Sequence, residues 1–185
     1  WLCMGHRGYE NVRFFYSCKR KAWIVGVRRR IILGAIYMMR FRGVFTNQTE
    51  LAVPIDAVWD FFQTTENLAR ITSYPKVNIQ GSSVVEEGKT MRLQLHFGIW
   101  KTSWDSYISH WKEKEGFEDT IVKPPFPFSA WKHRHQFIAK SEDETIMMDI
   151  LEFQSQLPPW LIKAGLYLMF KDRERAMKKY LYNKS

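Results

Sequence analysis

The chain has 185 residues, of which 45% are hydrophobic, 25% charged and 16% aromatic. This balance indicates one packed globular domain and excludes a disordered chain, a fibrous repeat and a membrane bundle. The formal net charge is +9, but residues 1–40 carry nine basic groups against one acid, which leaves 19 basic and 18 acidic groups elsewhere. Such a neutral body lacks the basic face that nucleic-acid binding needs, so we expect no nucleic-acid partner.

Residues 1–38 differ in kind from the rest of the chain. They combine arginine runs with the short apolar stretch Ile31–Met39, which is too short to span a bilayer. We interpret residues 1–38 as a basic leader outside the domain, either translated upstream of the true start or an amphipathic or targeting segment. The domain is predicted to cover residues 39–185. Both cysteines, Cys3 and Cys18, lie in the leader, so the body has no thiol chemistry and suits a reducing, cytoplasmic compartment.

The body begins with a predicted strand and two short helices. Alternating residues from Phe41 to about Val53 indicate the strand, and Pro54 is typical of the first turn of a helix. A second helix includes Ile71 and must end before Pro75.

An antiparallel run of strands and a long helix follow. Strands are predicted at 77–85, 91–97, 104–109, 117–122, 131–139 and 145–153. Pro158 and Pro159 open a helix to about Tyr182 that is apolar on nearly all sides up to Phe170, so we expect it to be gripped on three sides. The predicted fold is α+β: a curved antiparallel sheet of about six or seven strands wrapped around the C-terminal helix, with a cavity between them.

Several separated segments resemble one family. They are 54–62 (PIDAVWDFF), Asn67-Leu68, Ile71-Thr72, Phe117-Glu118-Asp119, Pro125-Phe126, 131–137 (WKHRHQF), Thr145, Met148, Asp149, Phe170 and Arg173. In this order they resemble the bacterial ligand-binding SRPBCC proteins of the START and birch-pollen-allergen superfamily, including members labelled cell division inhibitor or cyclase/dehydrase. The resemblance covers about residues 40–182 and implies the helix-grip fold and a small apolar ligand. It also implies a partner protein such as a short-chain-dehydrogenase-like epimerase.

The strand from Trp131 to Phe137 holds the candidate polar site. Its aromatic face must point inward, so His133 and His135 do too. If the next turn pairs Ser141 with Glu144, Phe137 lies opposite Met148, His135 opposite Ile150 and His133 opposite Glu152. With Asp119 placed near His133, the predicted inward cluster is Asp119, His133, His135 and Glu152.

This cluster has three interpretations. The histidines could hydrogen-bond buried neighbours and fix the strand register, or the cluster could orient a ligand, or it could transfer protons. His-x-His with a remote carboxylate is a loose metal pattern, so we expect no metal. Arg173 lies on an apolar helix stripe and needs an acidic partner, either within the domain or on a ligand.

The predicted function is binding of a small hydrophobic or aromatic ligand in the cavity. The alternative is a cyclase, dehydratase or isomerase that uses Asp119 and His133 as acid and base. No phosphate-binding glycine loop or dinucleotide fingerprint is present, so we expect no nucleotide cofactor. The predicted apolar lining consists of Leu93, Leu95, Trp104, Ile108, Phe117, Trp131, Met148, Leu166 and Met169.

We expect a protein that starts at Met39 to be soluble and to unfold cooperatively, because the leader has no pattern that joins the sheet. Thermal unfolding checks this. A fall in the midpoint of more than about 8 °C relative to the full chain would show that the leader packs on the body.

Overall fold

The computed structural model describes residues 40–82 and 84–183, and residues 1–38, the predicted leader, lie outside this range. The elements follow the predicted order, with the second predicted strand reduced to four residues. They are β1 (Phe41–Leu51), α1 (Ile55–Phe62), α2 (Thr65–Ile71), β2 (Lys76–Ile79), β3 (Thr90–Phe97), β4 (Trp100–Lys112), β5 (Gly116–Ile121), β6 (Phe128–Ala139), β7 (Thr145–Ser155) and α3 (Pro159–Tyr182).

The seven strands form one curved antiparallel sheet in the order β1-β7-β6-β5-β4-β3-β2. Strands β2 to β7 are consecutive neighbours, and β1 closes the far edge beside β7. The inner face packs on α3, where Leu166 and Phe170 join Trp131 and Leu151 in one apolar cluster. This is the helix-grip α+β fold that the sequence predicts.

A second apolar cluster fills the other end of the sheet. Val58, Trp59 and Phe61 of α1 pack there against Ile108 and against Met177 near the end of α3. Helix α1 buries this face because its apolar residues recur at helical spacing. The two clusters hold the sheet and α3 together at separate places, which leaves space between them.

The predicted register of the last hairpin is wrong by one residue. The backbone N–H of Lys140 donates to the Glu144 carbonyl, so the loop contains three residues, 141–143, rather than the two assumed. Phe137 therefore lies opposite Met147, His135 opposite Asp149 and His133 opposite Leu151. The slip exchanges the two faces of β7, because successive side chains of a strand point to opposite sides.

The prediction that α3 is gripped on three sides is also wrong. Ile162, Leu166 and Phe170 are buried, whereas Trp160 and Leu168 on the other faces are exposed. The sheet covers one stripe of the helix, and the remaining apolar side chains at its N-terminal half face solvent. Among the described residues, no helix is long and apolar enough to cross a bilayer.

Gly116 at the start of β5 gives a testable prediction. Its φ is +151°, and a Cβ there would meet the carbonyl oxygen of His135 closer than real Cβ contacts come. Because a backbone carbonyl cannot move aside cheaply, Gly116→Ala should lower the free energy of unfolding by about 2 kcal/mol or more. Urea unfolding measures it.

Gly165→Ala in α3 is the matched control, because nothing lies within 4 Å of its added Cβ. Alanine is the better helix former by up to about 1 kcal/mol, so this variant should be unchanged or more stable. Equal stability of Gly116→Ala and the wild type would contradict the close approach of β5 and β6.

Candidate functional site

The space between the sheet and α3 is a cavity of about 720 Å³. Its lining includes eleven of the predicted site residues, namely Leu93, Leu95, Trp104, Phe117, Asp119, Trp131, His133, His135, Leu166, Met169 and Arg173. Leu93 and His133 are buried deep in it, whereas Phe126 and Leu168 line it and are also exposed. The cavity therefore has a polar inner part and an apolar mouth that opens to solvent.

Three predicted site residues do not line the cavity. Ile108 is fully buried, but it packs in the α1 cluster. Met148 and Glu152 lie on the outer face of β7, where Glu152 is exposed, so their predicted inward orientation is wrong. The residue that faces inward opposite His133 is Leu151, which does line the cavity.

Asp119 stands at the centre of the polar cluster. It lies opposite His133 in the β5–β6 pair, as the sequence predicts. Its Oδ1 accepts a hydrogen bond of 3.0 Å from the Ser106 hydroxyl. Its Oδ2 lies 3.4 Å from Nδ1 of His133 and 3.5 Å from Nε2 of His135.

Asp149 completes the cluster from behind, and the sequence analysis did not place it there. Its Oδ1 lies 2.9 Å from Nε2 of His133 and 2.9 Å from Nδ1 of His135. The first contact is a hydrogen bond, whereas the second lacks hydrogen-bond alignment. Each imidazole thus stands between two carboxylates. Had the sequence analysis assumed the three-residue loop that the structure shows, instead of a two-residue loop, it would have placed Asp149 in the site in place of Glu152.

Electrostatics make this cluster an ion-pair network. Burial opposes the charge on His133, but its contacts with Asp119 and Asp149 outweigh burial and raise the pKa of His133 to about 9. Burial likewise raises the pKa values of the two carboxyl groups, but their contacts with the two imidazoles lower them by more. The pKa of Asp149 therefore falls to about 2 and that of Asp119 falls well below its usual range. At neutral pH both carboxylates and the His133 imidazolium are charged.

Arg173 brings a second positive charge to the cavity wall. Its Nε donates a hydrogen bond of 3.1 Å to the Thr72 hydroxyl, and its guanidinium lies over the Phe170 ring. Burial lowers the pKa of Arg173, while the negative charges of Asp149 and Asp119 oppose that change. Within the described residues no carboxylate lies within ion-pair distance of Arg173, so the predicted internal bridge is absent there.

The cluster also has the composition of a metal site. Asp119, His133 and His135 each offer one ligand atom, and these atoms lie within 4.8 Å of one another. A metal needs neutral imidazole ligands, however, and the raised pKa of His133 opposes loss of its proton. The ion-pair network therefore competes with metal binding.

Comparison of the fold with solved structures finds helix-grip proteins of several activities. A START superfamily protein from Mycobacterium smegmatis is 10% identical, with a TM-score of 0.61 over 77% of this chain and 99% of that one. Norcoclaurine synthase from Thalictrum flavum, in complex with dopamine and hydroxybenzaldehyde, is 11% identical, with a TM-score of 0.58 over 79% and 90%. The Zhui aromatase/cyclase from Streptomyces sp. R1128 is 13% identical, with a TM-score of 0.58 over 78% and 93%.

At these identities the similarity establishes the fold and nothing finer. No family model matches the sequence, and no curated protein matches it. The chain has the helix-grip fold shared by START-like proteins, plant synthases and polyketide cyclases. Proteins with different printed descriptions share this fold, among them a START superfamily protein, a synthase and an aromatase/cyclase, so the function of this chain has to be inferred from the cavity itself.

The His133 network predicts how stability depends on pH. A pKa raised from 6.5 to about 9 in the folded state contributes stability that is complete below pH 6.5 and lost as the pH rises through 9. Thermal unfolding midpoints should therefore fall over this range in the wild type. His133→Gln should show a smaller fall, because it has no proton to lose.

His96→Gln is the control, since His96 contacts Asn78 and Gln94 rather than a carboxylate. It should keep the wild-type pH dependence. If the wild type and His133→Gln lose stability equally between pH 6.5 and 9, His133 is not the titrating group.

Proposed function

We propose that the protein binds a neutral, largely apolar ligand that carries one oxygen group, and that it does so without chemical conversion. The observation that carries this proposal is the cavity of about 720 Å³ with apolar walls and a charge-balanced polar cluster inside. Its volume falls within the range of about 300–1,000 Å³ typical of small-molecule sites.

The walls favour a ligand with rings. Trp104 and Trp131 meet edge to face with ring centroids 5.1 Å apart, and Phe128 packs against both. Leu93 and Leu166 supply aliphatic surface to the same cavity. Aromatic rings gain from edge-to-face contacts with such walls beyond the burial of their apolar area.

The polar cluster favours a neutral ligand group. Within the buried cluster, the carboxylates of Asp119 and Asp149 are balanced by the imidazolium of His133 and the guanidinium of Arg173. Asp172 lines the cavity outside this cluster, where it accepts a hydrogen bond from the Ser73 hydroxyl. A charged ligand would leave one charge without compensation in a buried site, which is costly. A hydroxyl or carbonyl oxygen can instead accept a hydrogen bond from Arg173, whose terminal nitrogens have no acidic partner among the described residues.

An acid–base enzyme remains the alternative, and the contact of Asp119 with His133 is the observation in its favour. The pKa directions argue against it. General catalysis works best with a group that titrates near the operating pH, whereas the Asp119 pKa lies far below neutrality and that of His133 lies at about 9. These pKa shifts support a role of Asp119 and His133 in positioning a ligand rather than in transferring a proton to or from it.

The first test uses the neutral fluorescent probe N-phenyl-1-naphthylamine. Saturable binding that naphthalene displaces is expected, because both are apolar aromatics. Leu166→Trp should abolish or strongly weaken binding by filling the cavity, whereas Tyr167→Trp, which faces solvent on the same helix, should not. Absence of saturable binding, or equal binding by both variants, would contradict the cavity as the binding site.

The second test concerns the oxygen group. Arg173→Met should weaken 2-naphthol binding about tenfold, the size of one hydrogen bond, while leaving naphthalene binding nearly unchanged. Arg175→Met, on the exposed face of α3, is the matched control. Calorimetric titration of the wild type and both variants with the two ligands measures the six affinities. An equal loss of both ligands in Arg173→Met would show that Arg173 supports the cavity without recognising the oxygen.

The third test separates carrier from enzyme. If His133 positions the ligand, His133→Ala should weaken 2-naphthol binding by about 1–2 kcal/mol. An acid–base role would instead leave binding nearly intact and reduce turnover of a substrate by about 10²–10⁴. Metabolite extracts incubated with both proteins and compared by mass spectrometry would reveal turnover, and such a pattern would overturn the carrier proposal.

A further inference from the structure

The surface around the cavity mouth is unusually apolar. Ten of the fifteen large hydrophobic residues exposed in the described part of the chain lie in four segments, 73–76, 96–101, 122–127 and 157–168, which we call the rim. Ile99 is 91% exposed, and Trp100, Phe126 and Trp160 are 70–73% exposed. An apolar patch of this kind usually marks an interaction surface.

The four segments meet at the mouth. Tyr74, Phe97, Phe126 and Leu168 line the cavity and are exposed at the same time, and the Tyr74 and Phe97 rings are in contact. Ile99 lies in the β3–β4 turn that follows Phe97, and Trp100 is the first residue of β4. Trp160 precedes Leu161, another lining residue.

Charge separates the rim from the opposite end of the sheet. The four rim segments contain Lys76, Lys101, Lys123 and Lys163 and no aspartate or glutamate, and Asp172 beside them accepts a hydrogen bond from Ser73. The antiparallel meander places the β3–β4, β5–β6 and β7–α3 connections at the mouth and the β4–β5 and β6–β7 turns at the other end. Those two turns carry five acids, at positions 113, 115 and 142–144, against three lysines, at positions 112, 114 and 140, and are therefore net acidic.

We propose that the rim docks on an anionic membrane surface, with its apolar tips among the lipid headgroups and its lysines beside anionic lipids. Aromatic and aliphatic side chains with interspersed lysines are the composition that binds at such interfaces. The exposed apolar side chains of the rim lie on separate segments rather than on one continuous face, and a fluid lipid surface can accommodate such an arrangement. A docked rim would allow an apolar ligand to pass between the bilayer and the cavity. This exchange rests on the proposed function, whereas docking of the rim on the membrane does not depend on it.

The test measures flotation of the full chain with vesicles of phosphatidylcholine alone or mixed with phosphatidylserine. One variant combines Ile99→Ser, Trp100→Ser and Trp160→Ser, and a second combines Lys101→Gln, Lys123→Gln and Lys163→Gln. None of these six residues lines the cavity. All proteins keep residues 1–40, so the nine basic groups there affect every measurement alike.

Matched controls change exposed residues away from the rim. They are Val44→Ser with Tyr107→Ser and Ile138→Ser, and Lys112→Gln with Lys114→Gln and Lys140→Gln. Binding to mixed vesicles should fall at least about tenfold in the apolar rim variant. It should fall about a hundredfold in the lysine variant, since each lysine near an anionic surface contributes about fivefold. The controls should bind like the wild type.

Equal binding by rim and control variants would overturn the proposal, as would absence of vesicle binding. Self-association of the wild type that only the rim variants lose, without vesicle binding, would assign the rim to a second copy and overturn it too. N-phenyl-1-naphthylamine binding without vesicles reports the cavity separately. If the wild type binds vesicles but not N-phenyl-1-naphthylamine, the proposed function is refuted and docking stands. If it binds N-phenyl-1-naphthylamine but not vesicles, docking is refuted and the proposed function stands.

Discussion

Two carboxylates buried on the inner face of a sheet are stable only when positive groups meet them there. Asp119 of β5 and Asp149 of β7 stand on either side of the His133 and His135 rings of β6, so one network links three adjacent strands. Removing Asp119, Asp149 or His133 would leave a buried charge without its partner, which costs several kcal/mol. The register of the central strands, and with it the shape of the cavity, depends on this interaction.

The same network explains how a polar cluster coexists with an apolar cavity. The charges on Asp119 and Asp149 are satisfied within the sheet, by the two imidazoles of β6 and the Ser106 hydroxyl, so they need no contact with water from the mouth of the cavity. The His133 and His135 rings pack among Phe117, Phe62 and Phe170, which keeps the surroundings apolar. A ligand therefore meets mostly apolar wall and one place where an oxygen can be recognised.

The fold could be predicted from the sequence because alternation and proline positions are local signals. The inner face of β6 was equally clear, since Trp131, His133, His135 and Phe137 alternate with polar residues. On β7 the signal was ambiguous: Met147 and Met148 are adjacent, and Ile146 and Ile150 are apolar residues on the outer face. On β7 the predicted register therefore depended only on the assumed length of the β6–β7 loop. The assumed loop was one residue too short, so the prediction placed Glu152 rather than Asp149 in the site. The exposed side of α3 escaped prediction because its first half is apolar all round.

The central claim is that the cavity holds a charge-balanced site for a neutral oxygen. Calorimetric titration of three probes with one ring system, 2-naphthol, 2-naphthoate and (2-naphthylmethyl)ammonium, tests it most directly at neutral pH. The account predicts that naphthol binds at least about tenfold tighter than either charged probe, because each of those adds an unpaired charge to a buried cluster. Tighter binding of naphthoate or of the ammonium probe would contradict it, since the cluster would then carry a net charge of the opposite sign.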